Sequence, residues 1–232
     1  MTRNPGPHLA LVGLMGAGKT RVGSAVAARL GRNHADLDIM VANRVGRSVG
    51  VIFAEGGEEA FRDLEQEALA ETLSGDKPLV VSTGGGVVER PANRQLLAER
   101  ALVVWLRAEP GTLAARVADV SGRPLLADGD PVDLLVALAD RRHPLYHTVS
   151  DQVVDTDRLD VDAVAALVEQ VAGDGAGVAP CSPSRWGWPT VGPTRYLSGR
   201  ASATDSPRRS PLTPAGPRWL PNRVSVWSST QG

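Results

Sequence analysis

Short, continuously apolar runs alternate along the first 173 residues with segments of helical periodicity. The runs are Leu9–Val12, Leu79–Ser82, Leu102–Leu106 and Gln152–Asp155, with a weaker fifth around Asn33–Leu37. Runs of this length are typical of strands that are buried on both faces of a parallel sheet. The helical segments are Lys19–Leu30, Gly57–Leu73, Pro91–Arg100, Pro110–Ala118, Pro131–Thr148 and Asp160–Ala172. Strands that alternate with helices predict an α/β domain with a parallel sheet.

The pattern stops near Gly173, and the composition changes at the same point. Residues 174–232 contain 9 of the 17 prolines and 4 of the 5 tryptophans, with seven arginines against two aspartates. Because proline at this density blocks helix interiors and central strands, we expect a disordered tail at 174–232 beside a folded domain at 1–173. The tail is either a basic, tryptophan-bearing arm for RNA or a membrane surface, or an extension without function, which its composition favours.

Charge and hydropathy exclude several classes of protein. The 232 residues have a net charge of -1, with 42% hydrophobic and 22% charged residues. These values exclude a collagen-like, mucin-like or wholly disordered chain. No apolar run approaches the ~18–20 residues of a membrane-spanning helix, the N-terminus lacks the pattern of a secretory signal, and the single cysteine, Cys181, cannot form an intramolecular disulfide. We therefore expect a cytoplasmic protein that binds neither nucleic acid nor a membrane.

The strongest local signal is Gly13–Thr20, which matches G-x-x-x-x-G-K-[ST] between a predicted strand and a predicted helix. Its glycines let backbone N–H groups cradle phosphate oxygens, and the following helix adds its positive N-terminal end. Lys19 is expected to reach the β- and γ-phosphates, and Thr20 to bind Mg²⁺. Lys19 and Lys77 are the only lysines among 25 basic residues, and a planar guanidinium cannot replace the compact ammonium in such a loop. The loop predicts a nucleoside-triphosphate site without distinguishing a kinase from a GTPase or another ATPase.

Two carboxylates follow the weakest of the predicted strands, at Asp36 and Asp38. Residues i and i+2 at the C-terminal end of a strand point to the same side, toward the crevice where ligands bind. The pair would suit Mg²⁺ and a substrate hydroxyl. The alternative is a helix N-cap, a position that aspartate favours, and Asp38 could serve both purposes.

Glycine and arginine mark four further positions. The triplet Gly84–Gly86 would let a ligand approach the backbone closely, or would form a plain turn. Arg62 lies on a predicted helix, where the alternative is a surface arginine paired with Glu58 or Glu65. Arg123 lies in the Gly/Asp-rich stretch 119–131, which has the character of a mobile lid or of an ordinary loop, and Arg142 precedes a His-Pro pair.

Taken in order, the segments GLMGAGKT, ADLD, FRDLE, GGG, GRPLL and RRHPLY resemble the shikimate kinase family, from about Leu9 to Val171. The resemblance implies a P-loop kinase of the adenylate-kinase-like fold, with a five-stranded parallel sheet in order 2-3-1-4-5, helices on both faces and a mobile lid. It also implies a monomer that binds ATP and shikimate. With one Mg²⁺ ion, this enzyme would transfer the γ-phosphoryl group of ATP to the 3-hydroxyl of shikimate. The products would be shikimate 3-phosphate and ADP, in the route to chorismate and the aromatic amino acids.

The resemblance assigns roles to residues of this chain. Those implied for ATP are Gly16, Ala17, Gly18, Lys19, Thr20, Arg21, Arg116, Arg123 and Arg158. Thr20 and Asp36 would hold the metal. Those implied for the substrate are Asp38, Arg62, Gly84, Gly85, Gly86 and Arg142, with the two arginines on its carboxylate. Lys19, Asp38 and Arg123 would be catalytic, Asp38 by accepting the hydroxyl proton. Arg21 and Leu37 depart from the family's common pattern.

Two other functions stay open at this point. One is a related P-loop kinase for another small hydroxy acid such as gluconate. Gluconate kinases share the phosphate loop, but not the pair of aspartates, the glycine triplet and the set of arginines. The other is a nucleotide-binding module without catalytic activity, which the intact Lys19, Asp38 and Arg123 argue against.

Overall fold

The computed structural model describes residues 7–118 and 130–174. Its strands are His8–Val12 (β1), Asn33–Asp36 (β2), Leu79–Ser82 (β3), Ala101–Arg107 (β4) and Gln152–Asp155 (β5). They form one parallel sheet in the order β2-β3-β1-β4-β5. The prediction of five parallel strands in this order is therefore confirmed. The central strand β1 is buried at every residue, which explains why its sequence is continuously apolar.

Helices cover the sheet. Their bounds are Lys19–Leu30 (α1), Leu37–Val45 (α2), Val49–Ser74 (α3), Pro91–Arg100 (α4), Pro110–Ala118 (α5), Pro131–Val149 (α6) and Val161–Asp174 (α7), with a 3-10 turn at Val87–Glu89. The helices α1 and α7 pack against each other, and α4 packs against both α3 and α6. Since parallel crossovers are right-handed, these two groups lie on opposite faces of the sheet. Within the described residues, no helix combines the length and apolar character needed to cross a membrane.

The pattern analysis missed α2 and the first part of α3. Each of these begins at a capping side chain, because Asp36 accepts a hydrogen bond from the Ile39 amide and Ser48 accepts one from the Val51 amide. The expected helix from Gly57 is the second part of α3, since Gly57 has φ 75° and ψ -178° and interrupts the helical backbone there. Such caps are local signals, but the hydrophobic periodicity of neither segment is strong enough to predict a helix.

The sheet topology brings the predicted functional segments to one crevice at the carboxyl ends of the strands. The chain leaves β1 toward one edge of the sheet and leaves β3 toward the other, so the carboxyl ends of these neighbours open a crevice. The phosphate loop follows β1, the glycine triplet follows β3, and Asp36 ends β2. The expected lid, with Arg123, and the expected disordered tail lie outside the described residues, apart from the ends of those segments.

Candidate active site

The phosphate loop connects β1 to α1 and requires glycine at its turns. Gly13, Gly16 and Gly18 have φ of 142°, 82° and 88°, a region that side chains disfavour. A Cβ atom at Gly16 would also lie 2.8 Å from both the Leu113 carbonyl oxygen and a Val117 methyl group. The loop is therefore shaped both by its own backbone and by α5, which packs against it.

Lys19 is the first residue of α1 and reaches back across the loop. Its Nζ donates to the carbonyl oxygens of Gly13 at 2.7 Å and Leu14 at 3.0 Å. The ammonium thus lies at the mouth of the loop, beside the N-terminal end of α1. This is where the positive end of a helix and a cation together favour a bound phosphate.

Thr20 and Asp36 form a pair of oxygen ligands beside Lys19. The Thr20 hydroxyl donates to Asp36 Oδ2 at 2.6 Å, while Asp36 Oδ1 accepts from the Ile39 amide and caps α2. A hydroxyl and a carboxylate oxygen suit Mg²⁺, which typically binds one or two protein ligands together with phosphates and water. No group of three or more His, Cys, Asp or Glu side chains that could hold a metal ion occurs in the described ranges.

Asp38 lies in the first turn of α2, because β2 ends at Asp36. The prediction that both aspartates point from the end of one strand is therefore wrong, and the residue that caps the helix is Asp36. Asp38 nevertheless lines the same cleft as the phosphate loop. Its Oδ1 lies 2.9 Å from the position that a Cβ atom would take at Gly84. The helix thus brings Asp38 to the glycine triplet, as the strand was expected to do.

Glu65 is a site residue that the sequence reasoning did not assign. It is fully buried on α3, and its Oε2 accepts a hydrogen bond from Arg62 NH1 at 2.9 Å. Its Oε1 has no hydrogen-bond partner and lies against Gly84. One signal could have found it, since Phe61, Leu64, Ala68 and Leu69 mark the apolar stripe of this helix and position 65 falls on that stripe.

Burial raises the pKa of Glu65 to about 7, and nearby Asp38 acts in the same direction, although Arg62 opposes both. The folded protein therefore binds a proton at Glu65 more tightly than the unfolded chain does, for which the ordinary pKa is 4.5. The resulting stability is complete below pH 4.5 and is lost as the pH rises toward 7. A shift of this size corresponds to about 3 kcal/mol.

We therefore expect the free energy of unfolding of the wild-type protein to fall, relative to that of Glu65→Gln, as the pH is raised between these two values. Urea unfolding followed by circular dichroism at several pH values would measure it. The glutamine variant is the reference, because every other titrating group is common to both proteins. A constant difference in unfolding free energy across this pH interval would contradict the assignment.

Two arginines that were predicted from sequence, Arg62 and Arg142, lie buried beside the glycine triplet, with 5% and 3% of their surface exposed. Arg62 pairs with both Glu58 and Glu65, as the alternative interpretation required, but it is not a surface residue. Arg142 Nε donates to Glu89 Oε1 at 3.0 Å. Arginines this deeply buried are rare without a specific anion to hold.

The three glycines of the triplet have different neighbours. A Cβ atom at Gly84 would overlap Glu65, and one at Gly86 would overlap the Arg62 guanidinium, so two of the glycines make room for the protein's own side chains. At Gly85 the nearest atoms, which include Arg142 NH1, would lie 3.6 Å away. The Gly85 carbonyl accepts a hydrogen bond from the Tyr146 hydroxyl, whose pKa is raised by burial. Close approach of a ligand to the backbone is thus possible at Gly85.

A cleft of about 720 Å³ joins the phosphate loop to Asp38 and Gly85, and its lining does not include Arg62 or Arg142. Its walls include the loop residues Met15 to Val22, together with Asp38, Thr83, Gly85, Arg116, Val117, Thr156, Leu159, Asp160, Val161, Asp162 and Val164. Arg116 donates to the Thr156 hydroxyl at 3.0 Å and to the Thr156 carbonyl at 2.5 Å. The structure therefore brings together the predicted loop residues with Arg21, Asp38, Gly85 and Arg116. Arg158 is exposed and is not part of this lining, whereas its neighbour Leu159 is.

Comparison with known proteins relates this geometry to a family. The sequence profile of the family described as shikimate kinase matches residues 15–172. A shikimate kinase of Burkholderia thailandensis is 45% identical over 166 residues, which is 72% of this chain and 90% of that protein. A shikimate kinase of Stenotrophomonas maltophilia is 44% identical over 170 residues, 73% of this chain and 94% of that protein.

Solved structures give the same result. The structure of shikimate kinase from Acinetobacter baumannii in complex with shikimate superposes with a TM-score of 0.71 and 34% identity, over 74% of this chain and 96% of that one. A gluconokinase from Sinorhizobium meliloti reaches a TM-score of 0.51 at 19% identity, over 76% of this chain and 96% of that one. At that identity the second likeness concerns the fold alone.

Proposed function

The chain belongs to the shikimate kinase family, and from this premise we propose which of its residues carry out phosphoryl transfer from ATP to shikimate. Phosphoryl transfer depends mainly on positioning and on neutralising charge at the phosphate. The proposal therefore divides the site into a nucleotide end and an acceptor end. The monomeric state and the cytoplasmic location stay predictions.

At the nucleotide end, the backbone of Gly16 to Gly18 holds the phosphates and Lys19 neutralises the charge that develops on the transferred group. Arg116 and Leu159 would border the base, which is supported by their position in the lining of the same cleft as the phosphate loop. Thr20 and Asp36 would hold a Mg²⁺ ion, and their hydrogen-bonded oxygens support this assignment. When bound, such an ion neutralises phosphate charge.

At the acceptor end, Asp38 is the residue that accepts the proton of the attacking hydroxyl. It lies in the cleft between the phosphate loop and the glycine triplet, where a carboxylate can reach a substrate hydroxyl within hydrogen-bonding distance. Arg62 and Arg142 bind the substrate carboxylate, since a guanidinium offers two parallel N–H donors that match its geometry. The Gly85 backbone contacts the substrate ring.

One observation carries this proposal: two buried arginines converge at the glycine triplet, Arg142 beside Gly85 and Arg62 beside Gly86. A small hydroxy acid with one carboxylate needs such a cationic grip to present a hydroxyl in line with the γ-phosphate. No observation favours a gluconate kinase beyond the shared fold. The joint placement of Lys19, Thr20, Asp36 and Asp38 argues against a module without catalytic activity.

The test is ADP release from ATP and Mg²⁺ in the presence of shikimate, gluconate or no acceptor. We expect turnover with shikimate alone. Turnover with gluconate at a comparable rate would indicate a kinase for another hydroxy acid. Binding of ATP without any acceptor-dependent turnover would refute the proposed roles of the acceptor end.

The Gly86→Ala substitution tests the role of Arg62 at the acceptor end. Gly86 has φ -102° and ψ 2°, which alanine adopts without strain, so the expected effect is displacement of the Arg62 guanidinium. Loss of one buried charged contact raises the KM for shikimate by about tenfold or more, and we expect the KM for ATP to change by less than about twofold. Steady-state kinetics with each substrate varied would measure both.

Gly75→Ala is the matched control, because no atom lies within 4 Å of the position of its Cβ. We expect both of its KM values to stay at the wild-type level. An unchanged KM for shikimate in Gly86→Ala would show that Arg62 does not bind the substrate.

A further inference from the structure

Three arginines and three glutamates meet behind the glycine triplet. This arginine cluster consists of Arg62, Arg141, Arg142, Glu58, Glu65 and Glu89, which are joined by ion pairs. With every member ionised, its net charge is zero, and the nearby Asp38 adds a further negative charge. A pocket that binds a carboxylate is expected to carry a net positive charge. Glu65, with its raised pKa of about 7, is partly protonated at neutral pH and leaves the cluster slightly positive. The arginine nitrogens are nevertheless in contact with glutamates, so an anion that binds them has to displace one of these.

Both terminal nitrogens of Arg62 contact glutamates. Its NH1 donates to Glu65 at 2.9 Å, and its NH2 donates to Glu58 at 2.7 Å and lies 3.3 Å from Glu89. Its Nε is buried and has no hydrogen-bond partner. The Nε and NH2 hydrogens point the same way along one edge of a guanidinium, which is an edge that a carboxylate binds with both oxygens. Glu58 and Glu89 contact the NH2 end of that edge, and its Nε end is unpaired.

Among the three glutamates, Glu58 is held least tightly. Glu65 is fully buried, and Glu89, with 21% of its side chain exposed, contacts all three arginines. Glu58 has 46% of its side chain exposed and follows Gly57, where the helical backbone of α3 is interrupted. Its Oε1 lies 2.7 Å from Arg62 NH2 and 3.9 Å from Arg142 NH2. It is thus the exposed carboxylate that lies between the two buried arginines.

We propose that Glu58 is an internal substitute for the substrate carboxylate, and that shikimate binds by displacing it from Arg62 and Arg142. This inference rests on the proposed function of the two arginines. The exchange replaces one carboxylate by another and leaves the net charge around the arginines unchanged, so the buried guanidinium groups never lack a counter-charge. It also makes the Nε–NH2 edge of Arg62 available to an anion that brings two oxygens. The cost is affinity, because the site is open only while Glu58 is away.

Glu58→Gln removes the competing charge with an isosteric side chain. If Glu58 occupies the site for most of the time, shikimate binds about three- to tenfold more tightly to the variant, as measured by isothermal titration calorimetry. The matched control is Glu59→Gln, the same change at a neighbouring residue that pairs with Arg90 instead. We expect its affinity for shikimate to equal that of the wild type.

The methyl ester of shikimate tests whether the gain in affinity depends on the carboxylate charge of the ligand, as displacement of Glu58 requires. It lacks the negative charge, so Glu58→Gln should leave its affinity unchanged. Weaker binding of shikimate to Glu58→Gln would show that Glu58 positions Arg62 rather than competing for it, and an equal gain for acid and ester would show a general effect. Either result would overturn the proposal.

Failure of the proposed function is distinguishable from failure of this inference. Wild-type protein that neither binds nor phosphorylates shikimate would refute the function. The exchange is then measured with cyclohex-1-enecarboxylate, which has the ring and the carboxylate without the hydroxyls. A tighter complex of that acid with Glu58→Gln than with Glu59→Gln supports the exchange, and equal affinities contradict it.

Discussion

Asp38→Asn is expected to lower kcat by about 10²- to 10⁴-fold, the range for loss of a general base. The asparagine side chain keeps the shape of the residue but cannot accept a proton from the substrate hydroxyl. Asp38 lies in the cleft that joins the phosphate loop to Gly85, where an acceptor hydroxyl would face the nucleotide. Steady-state turnover with saturating shikimate and ATP would measure the loss.

Binding of ATP should survive this substitution, because Lys19 keeps its hydrogen bonds to the Gly13 and Leu14 carbonyl oxygens. We expect the dissociation constant of ATP to change by less than about threefold, whereas kcat falls by the full factor. Asp76→Asn, the same change at an exposed residue in the turn between α3 and β3, serves as the control. Near-normal turnover of Asp38→Asn would refute its role as the base.

Lys19→Arg is expected to lower kcat by about 10²- to 10³-fold although it preserves the positive charge, the range for loss of one preorganised donor. The Lys19 ammonium fits between two carbonyl oxygens of its own loop, at 2.7 and 3.0 Å. A guanidinium is planar, wider and longer, so its charge cannot take the same position. The chain offers a matched control in Lys77, the only other lysine, which is exposed.

Lys77→Arg should retain the turnover of the wild type. Parallel assays of the two variants would show whether activity depends on the exact position of the positive charge in the loop. If Lys19→Arg kept more than about half of the wild-type activity, the loop would require only a cation. The proposed neutralisation of the phosphate at that point would then be wrong.

Much of the fold follows from local pattern. The apolar runs mark four of the strands and a weaker segment marks β2, and α1, α4 and α5 begin and end where the periodicity places them. The order of the strands in the sheet cannot be predicted from local pattern, because no single segment encodes it. It entered as an implication of the resemblance, and the structure confirms it.

The errors arise where a local signal has two meanings. An aspartate after an apolar run fits the end of a strand or the cap of a helix, and the structure uses Asp36 for both. Asp38 consequently lies on α2 and not on β2. The two adjacent glycines at 56 and 57 suggest the beginning of a helix, whereas they lie within α3, which is interrupted at Gly57.

The loop that binds phosphate is encoded in one continuous segment, because its chemistry comes from neighbouring backbone N–H groups and the next helix. The acceptor end is not encoded in this way. Arg62 comes from α3, Glu89 from the turn after β3 and Arg142 from α6, and only the packed structure brings them within ion-pairing distance. The same packing buries Glu65 and raises its pKa, because desolvation depends on every element that surrounds the carboxylate. Residue types and spacing along the chain thus establish the phosphate site, whereas burial and contact between distant segments establish the charges around the acceptor.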